Sequence, residues 1–127
     1  MSENELSATI VDAALKVHRT LGPGLLESVY KAALSLELRK RGHTVEVEKE
    51  IPAVYEGVEL GCGFCADLIV DNLVLIELKS VETLKEVFKK QTLTYLRLTG
   101  LRLGLLMNFN QVLLKDGIKR IVNGLPD

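Results

Sequence analysis

GFCADLIVDNLVLIELK, residues 63–79, reads as two apolar strands, ADLIV and LVLIEL, joined at Asp71-Asn72, a pair with strong turn chemistry. Nearly every position of both strands is apolar, so both of their faces are expected to be covered. Into that setting the sequence places three charges: Asp67, then Glu77 and Lys79 two residues apart. Side chains at i and i+2 of a strand share a face, so Glu77 and Lys79 point the same way. Charges left desolvated and unpaired there are costly, so these groups are expected to be partnered or functional.

Whether Asp67 joins them depends on register. A two-residue turn at Asp71-Asn72 pairs Val70 with Leu73, sets Asp67 opposite Ile76 and sends Asp67 and Glu77 to opposite faces. A three-residue loop over residues 71–73, or a bulge, pairs Val70 with Val74 and brings the two carboxylates together. A chemical role for the pair predicts the second register.

The 127 residues suffice for one domain with a real core, expected to span 1–127. Apolar residues make up 47% and charged residues 26%, as in an ordinary globular protein. No apolar run is long enough to span a bilayer, and MSENELSATI lacks the basic and apolar regions of a signal peptide. The expectation is a cytoplasmic chain with no membrane partner. Cys62 and Cys65 form a C-x-x-C, but no second pair completes a zinc site and the motif lies on a strand. Two reduced thiols are therefore expected. A net charge of −1 gives no general attraction to nucleic acid, so any such binding needs a local patch.

Leu6, Ile10, Ala13, Val17 and Leu21 recur at helical spacing and predict a first helix, broken by Gly22-Pro23-Gly24. A second helix is expected over about 25–41, with Leu26, Val29, Ala33 and Leu36 among its apolar positions and Gly42 as its stop. TVEVEKEI, residues 44–51, alternates as a strand with one wet face. Pro52 interrupts it, and AVYEGVEL reads as a hairpin around Glu56-Gly57. A third helix is expected over about 84–98, ended by Gly100, then the apolar strand LRLGLLMNF and a short strand in the tail. The order α-α-β-β-β-β-α-β-(β) predicts an α+β fold with a central mixed sheet flanked by helices.

Two carboxylates and a lysine at D-x9-E-x-K spacing suit metal-assisted phosphodiester hydrolysis. Mg2+ prefers oxygen ligands, which Asp67, Glu77 and the Leu78 carbonyl between Glu77 and Lys79 can supply. Lys79, on the same face, would orient or help deprotonate the attacking water. Gln91 and Tyr95 stand at i and i+4 of the third helix, placed to hold a phosphate. Glu27, in the first turn of the second helix, is accounted for by the helix dipole, and could equally serve as a third carboxylate at the metal. The bland reading of the pattern is a surface Glu-Lys pair with Asp67 unrelated.

Gly24-x-x-Glu27-x-x-Tyr30, GFCADLIV, IELKSVE, QTLTY and GLLMNF together resemble the GxxExxY protein family of the PD-(D/E)XK nuclease superfamily. The resemblance runs from VHRTLGPGLLESVY to KDGIKRIVNG, and Gln91-x-x-x-Tyr95 is similar to the extra motif of the RecB-type and phage lambda exonuclease-type branch. It implies a restriction-endonuclease-like sheet core. It also implies Asp67 and Glu77 as metal ligands for Mg2+ or Mn2+, Lys79 as the catalytic lysine, Glu27 as the helix acid, and Gln91 and Tyr95 as accessory residues. Two positions depart from the pattern: Cys65 stands where such sequences commonly carry Arg, and Phe88 where a His often precedes the Gln motif. His18, in the matching VH segment, reads as a packing or hydrogen-bonding residue.

Lys85 and Lys89 are i, i+4 neighbours that offer a phosphate-facing ridge, or an ordinary solvated face. With no Trp and few aromatic residues, base stacking is a minor resource and sequence-specific reading is not expected. The expected function is metal-dependent cleavage of nucleic acid, with DNA as the expected polymer and specificity drawn from self-association or a partner protein. The rival is a non-catalytic binding or assembly module that retains the nuclease fold.

Overall fold

The structure, a computed structural model, describes residues 1–126. Helix α1 (Glu3–Leu21) starts at a capping box: Ser2 Oγ accepts from the Glu5 amide at 3.2 Å, and Glu5 Oε1 accepts from the Ser2 amide at 3.1 Å. Leu6, Ile10, Ala13, Ala14 and Val17 form its buried stripe. Leu21, expected on that stripe, is exposed because the helix ends there, before Gly22 turns to φ 75°.

Helix α2 (Glu27–Lys40) carries two apolar stripes and buries one of them. Tyr30, Leu34 and Leu38 face the core, together with Ser35. Val29 and Leu36 are 40% and 55% exposed, Leu26 is exposed and Ala33 is only half-buried. Both stripes are apolar at helical spacing, so periodicity alone could not choose between them. Tyr30 makes the choice. Its hydroxyl donates to the Gly22 carbonyl at 2.6 Å and accepts from the Leu25 amide at 3.0 Å, while its ring stacks on Phe109 at 4.7 Å.

Five strands follow in the spatial order β1-β2-β3-β4-β5: β1 (Val45–Tyr55), β2 (Val58–Val70), β3 (Val74–Lys79), β4 (Leu103–Asn108) and β5 (Ile118–Val122). β3 and β4 are parallel and the other pairs antiparallel, so the sheet is mixed. The parallel pair needs a crossover, which is helix α3 (Glu86–Thr99). Three strands, not four, separate α2 from α3, because Pro52 does not end β1. It sits at a register shift on an edge strand, the place where a missing N–H is tolerated. The expected hairpin forms at Glu56-Gly57, with φ of 49° and 80°, as a primed turn requires.

The sheet separates two cores. α1 and α2 cover Leu68, Val70, Val74, Ile76, Leu78, Leu103, Leu105 and Met107, whereas α3 covers Ile69 and Leu75 through Leu96. Within the β1–β2 ribbon, Val45, Leu68 and Val70 belong to the first core. Ile51, Phe64 and Ala66, at the same pleat parity, belong to the second. The ribbon therefore turns its faces over between them, at Glu48 and the opposing Asp67. Glu48 takes the left-handed φ of 51° that interrupts the pleat.

Helix α3 approaches the sheet closely over Gly104, where an added Cβ would lie 3.0 Å from Thr92 Cγ2 and 3.4 Å from both methyls of Leu96. Glycine at this position sets the depth at which α3 sits. Gly104→Val is expected to lower stability by about 1–3 kcal/mol through overpacking, read as a lower midpoint in thermal unfolding. An unchanged midpoint would contradict this seating of α3.

Candidate active site

The turn after β2 closes with the Leu73 amide donating to the Val70 carbonyl at 2.9 Å, with Asp71 and Asn72 at φ of 51° and 53°. Leu73 is then an extra residue, and the ladder runs Val70↔Val74, Ile69↔Leu75 and Leu68↔Ile76. This is the register that sets Asp67 opposite Glu77. Asp71 holds the turn in place: its carboxylate accepts from the Thr44 amide at 2.8 Å and lies 2.7 Å from His43 Nδ1.

Beyond Leu68 the β2–β3 ladder opens, and side chains replace backbone pairing. The Asp67 amide donates to Glu77 Oε2 at 3.3 Å, and the Leu78 amide donates to Asp67 Oδ2 at 2.9 Å. Two carboxyl groups are thereby held against each other, with Glu77 only 7% exposed. They cannot both be charged at low cost. Burial, reinforced by the hydrogen bond to Asp67 and by its charge, pushes the Glu77 carboxyl up to about 9. For Asp67, burial acts upward but is outweighed by bonds to Glu77, Lys31 and the Leu78 amide, which hold its carboxyl below the usual range. Of the two, Glu77 is the group favoured to hold a proton and Asp67 the one favoured to be charged.

Lys31, one helical turn after Glu27 on α2, supplies the counter-charge: its Nζ lies 2.8 Å from Asp67 Oδ1 and 3.2 Å from Glu48 Oε1. Sequence reasoning missed it, although the i, i+4 spacing from Glu27 was a usable signal. Glu27 is delivered to the end of β3 by two bonds. The Ser80 amide donates to Glu27 Oε1 at 3.3 Å, and Ser80 Oγ donates to the Leu25 carbonyl at 2.8 Å. Buried Asn108 was missed as well. Its side chain accepts from the Val81 amide at 3.1 Å and donates to the Val81 carbonyl at 2.9 Å, fixing the segment just after Lys79.

Asp67, Glu77, Lys79, Glu27, Gln91 and Tyr95 line one cleft of about 140 Å³, together with Cys65, Phe88 and Thr92. A larger groove of about 380 Å³ beside His18 is lined, among the described residues, by no carboxylate. Lys79 Nζ stands 4.7 Å above the Phe88 ring, a cation–π contact that holds the amine over the cleft. Tyr95 stacks on Phe64 at 3.8 Å, and burial followed by the charges of Glu77 and Asp67 raises its phenol, so it remains a proton donor. Gln91 is exposed at the rim. His18 lies outside this group, buried, with Nε2 3.2 Å from the Phe109 carbonyl. In the basic ridge Lys89 is paired with Glu86 at 3.4 Å.

The donor set suits a hard divalent cation. Its two opposed carboxyl groups offer oxygen ligands only, the kind such an ion prefers. Within a strand a residue's N–H and C=O point to the same edge, so the Leu78 carbonyl faces the opened ladder that its amide bridges.

The raised Glu77 has a consequence for stability. An unfolded glutamate loses its proton near 4.5 while the folded one keeps it to about 9, so its contribution falls steadily as pH rises between those values. The lowered Asp67 acts oppositely, contributing above 3.8 and losing that contribution as pH falls. Glu77→Gln, which mimics the protonated acid, is expected to stabilise the fold at pH 8 by on the order of 1–3 kcal/mol. The gain should shrink towards pH 5. Denaturant unfolding of both proteins at several pH values tests this, and a gain independent of pH would contradict it.

The family model of the PD-(D/E)XK nuclease superfamily matches residues 4–121, and the mixed sheet between helices is consistent with the restriction-endonuclease-like fold of that group. Neither the curated proteins nor the solved structures provide a match. Among the described residues no helix is long and apolar enough to cross a membrane. The match takes in every residue of the cleft and nearly all of the fold around it, and on that ground the chain belongs to the PD-(D/E)XK nuclease superfamily.

Proposed function

We propose that this chain hydrolyses phosphodiester bonds of DNA with Mg2+ or Mn2+ held by Asp67 and Glu77, Glu27 completing the set directly or through a water. The observation that carries the reading is the opposed Asp67–Glu77 pair, each bonded to the other's strand, in one cleft with Lys79. When bound, the ion supplies positive charge to the phosphate and acidifies a water. Lys79 orients the attacking water, whose proton passes to solvent as its oxygen bonds phosphorus, and offsets the negative charge of the transition state. Tyr95, kept neutral, donates to a phosphate oxygen, and Gln91 donates from the rim. The leaving oxygen departs opposite the attacking water and takes a proton from solvent. Lys31 keeps Asp67 ionised until the cation arrives. We place specificity in self-association or a partner protein.

A second reading, an inactive assembly module, is favoured by one feature. The tip of the β1–β2 hairpin exposes Val54, Tyr55, Val58 and Leu60, the last two residues of this set being 60% and 65% exposed.

Cleavage of labelled single- and double-stranded DNA with Mg2+ or Mn2+ tests the proposal. Lys79→Ala and Asp67→Ala are each expected to cut at least about 100-fold more slowly than the parent. Because Glu77 must release its proton, Mn2+ affinity should rise between pH 6 and 9, and Asp67→Ala should abolish Mn2+ binding. Inertness on DNA with Mn2+ binding intact would reject DNA and leave the site. Inertness without Mn2+ binding would favour the assembly module.

A further inference from the structure

Cys62 and Cys65 take no part in the proposed hydrolysis, yet the strand is distorted in a way that brings them together. In a regular pleat, residues three apart lie on opposite faces. Here Phe64 pairs with Ile51 and Cys62 pairs with Pro52, which leaves Gly63 as an extra residue in β2. Removing Gly63 from the count puts Cys62 two ladder steps from Cys65, on the same face. The bulge depends on glycine, since a Cβ at Gly63 would stand 2.8 Å from Ala53 Cβ. Glu50 is the residue directly across from Cys65. The two thiol sulfurs and a Glu50 carboxylate oxygen all lie within 4.8 Å of one another, and all three residues are exposed.

We infer that Glu50, Cys62 and Cys65 form a binding site for a thiophilic divalent cation of the Zn2+ class, independent of the oxygen-lined pair. Two thiolates and one carboxylate are three protein ligands, which leaves the fourth tetrahedral position to water or an external ligand. Sulfur ligands favour Zn2+ over Mg2+ or Mn2+, whereas the Asp67–Glu77 pair has the opposite preference. Zn–S bonds of about 2.3 Å place two sulfurs about 3.8 Å apart, so rotamer shifts of about 1 Å or less close the site. Binding displaces one proton from each thiol into solvent. The ion clips β1 to β2 at the bulge, beside the rim of the cleft that Cys65 also lines.

The test is a titration of the reduced, full-length protein with Co2+, followed by thiolate-to-cobalt charge-transfer absorption in the near ultraviolet. One Co2+ per chain with a two-thiolate band, displaced by Zn2+, is expected. Cys62→Ser and Cys65→Ser should each remove the two-thiolate band, and Glu50→Gln should weaken binding roughly 10-fold or more. Asp67→Ala should leave the band unchanged, which separates this site from the carboxylate pair and makes its failure distinct from failure of the nuclease reading. Circular dichroism confirms that each variant is folded. The inference is overturned if folded, reduced protein shows no band at stoichiometric Co2+. It is equally overturned if the band survives in Cys62→Ser, or if one ion binds two chains with a four-thiolate spectrum.

Discussion

Two carboxyl groups pressed together where a β-ladder opens form the constraint on which the rest of this chain depends. Backbone pairing between β2 and β3 stops after Leu68↔Ile76, and from there Asp67 and Glu77 bond each other's strand through side chains. The arrangement is unfavourable for an isolated protein, because one acid must hold a proton far above its ordinary range. Lys31 offsets part of that cost, with an ammonium 2.8 Å from Asp67. A divalent cation would offset the remainder.

Much of the surrounding structure serves to hold the groups around this pair in place. Tyr30 ties the Gly22–Leu25 turn to α2 and so fixes where Glu27 emerges, and Ser80 then joins Glu27 to the end of β3. Asn108 pins Val81 from β4, steadying the segment that follows Lys79. Gly104 lets α3 settle against the sheet, which sets the reach of Gln91 and Tyr95. None of these residues has reactive chemistry of its own. Each trades a specific hydrogen bond or a missing side chain for position, and that is how a small domain can present a precise cleft.

The charged positions of the site were legible because charge is conspicuous within apolar strands, and the D-x9-E-x-K spacing limited the hairpin to two registers. A chemical role for the pair selected the second register, which the ladder has, but its physical cause, Leu73 as an extra residue, depends on turn geometry at Asp71-Asn72. The buried face of α2 was not legible, because Val29 and Leu36 satisfy helical periodicity as well as Leu34 and Leu38 do. Only the Tyr30 hydroxyl and its stacking on Phe109 break that tie. Pro52 looked like a strand end, yet an edge strand with a bulge accommodates it. Lys31 was overlooked because its partners, Asp67 and Glu48, lie on strands distant in sequence.

By itself, the sequence determined the three helices, most of the strands, the mixed α+β character and the charged residues that line the cleft. Those properties follow from local periodicity, turn residues and rare charges in apolar runs. Tertiary structure alone decided which helix face is buried, where the β1–β2 ribbon turns over, and which cation neutralises Asp67. It also brought Cys62 to the same face as Cys65 through the bulge at Gly63. These outcomes depend on contacts between residues far apart in the chain, whose energies no local pattern encodes.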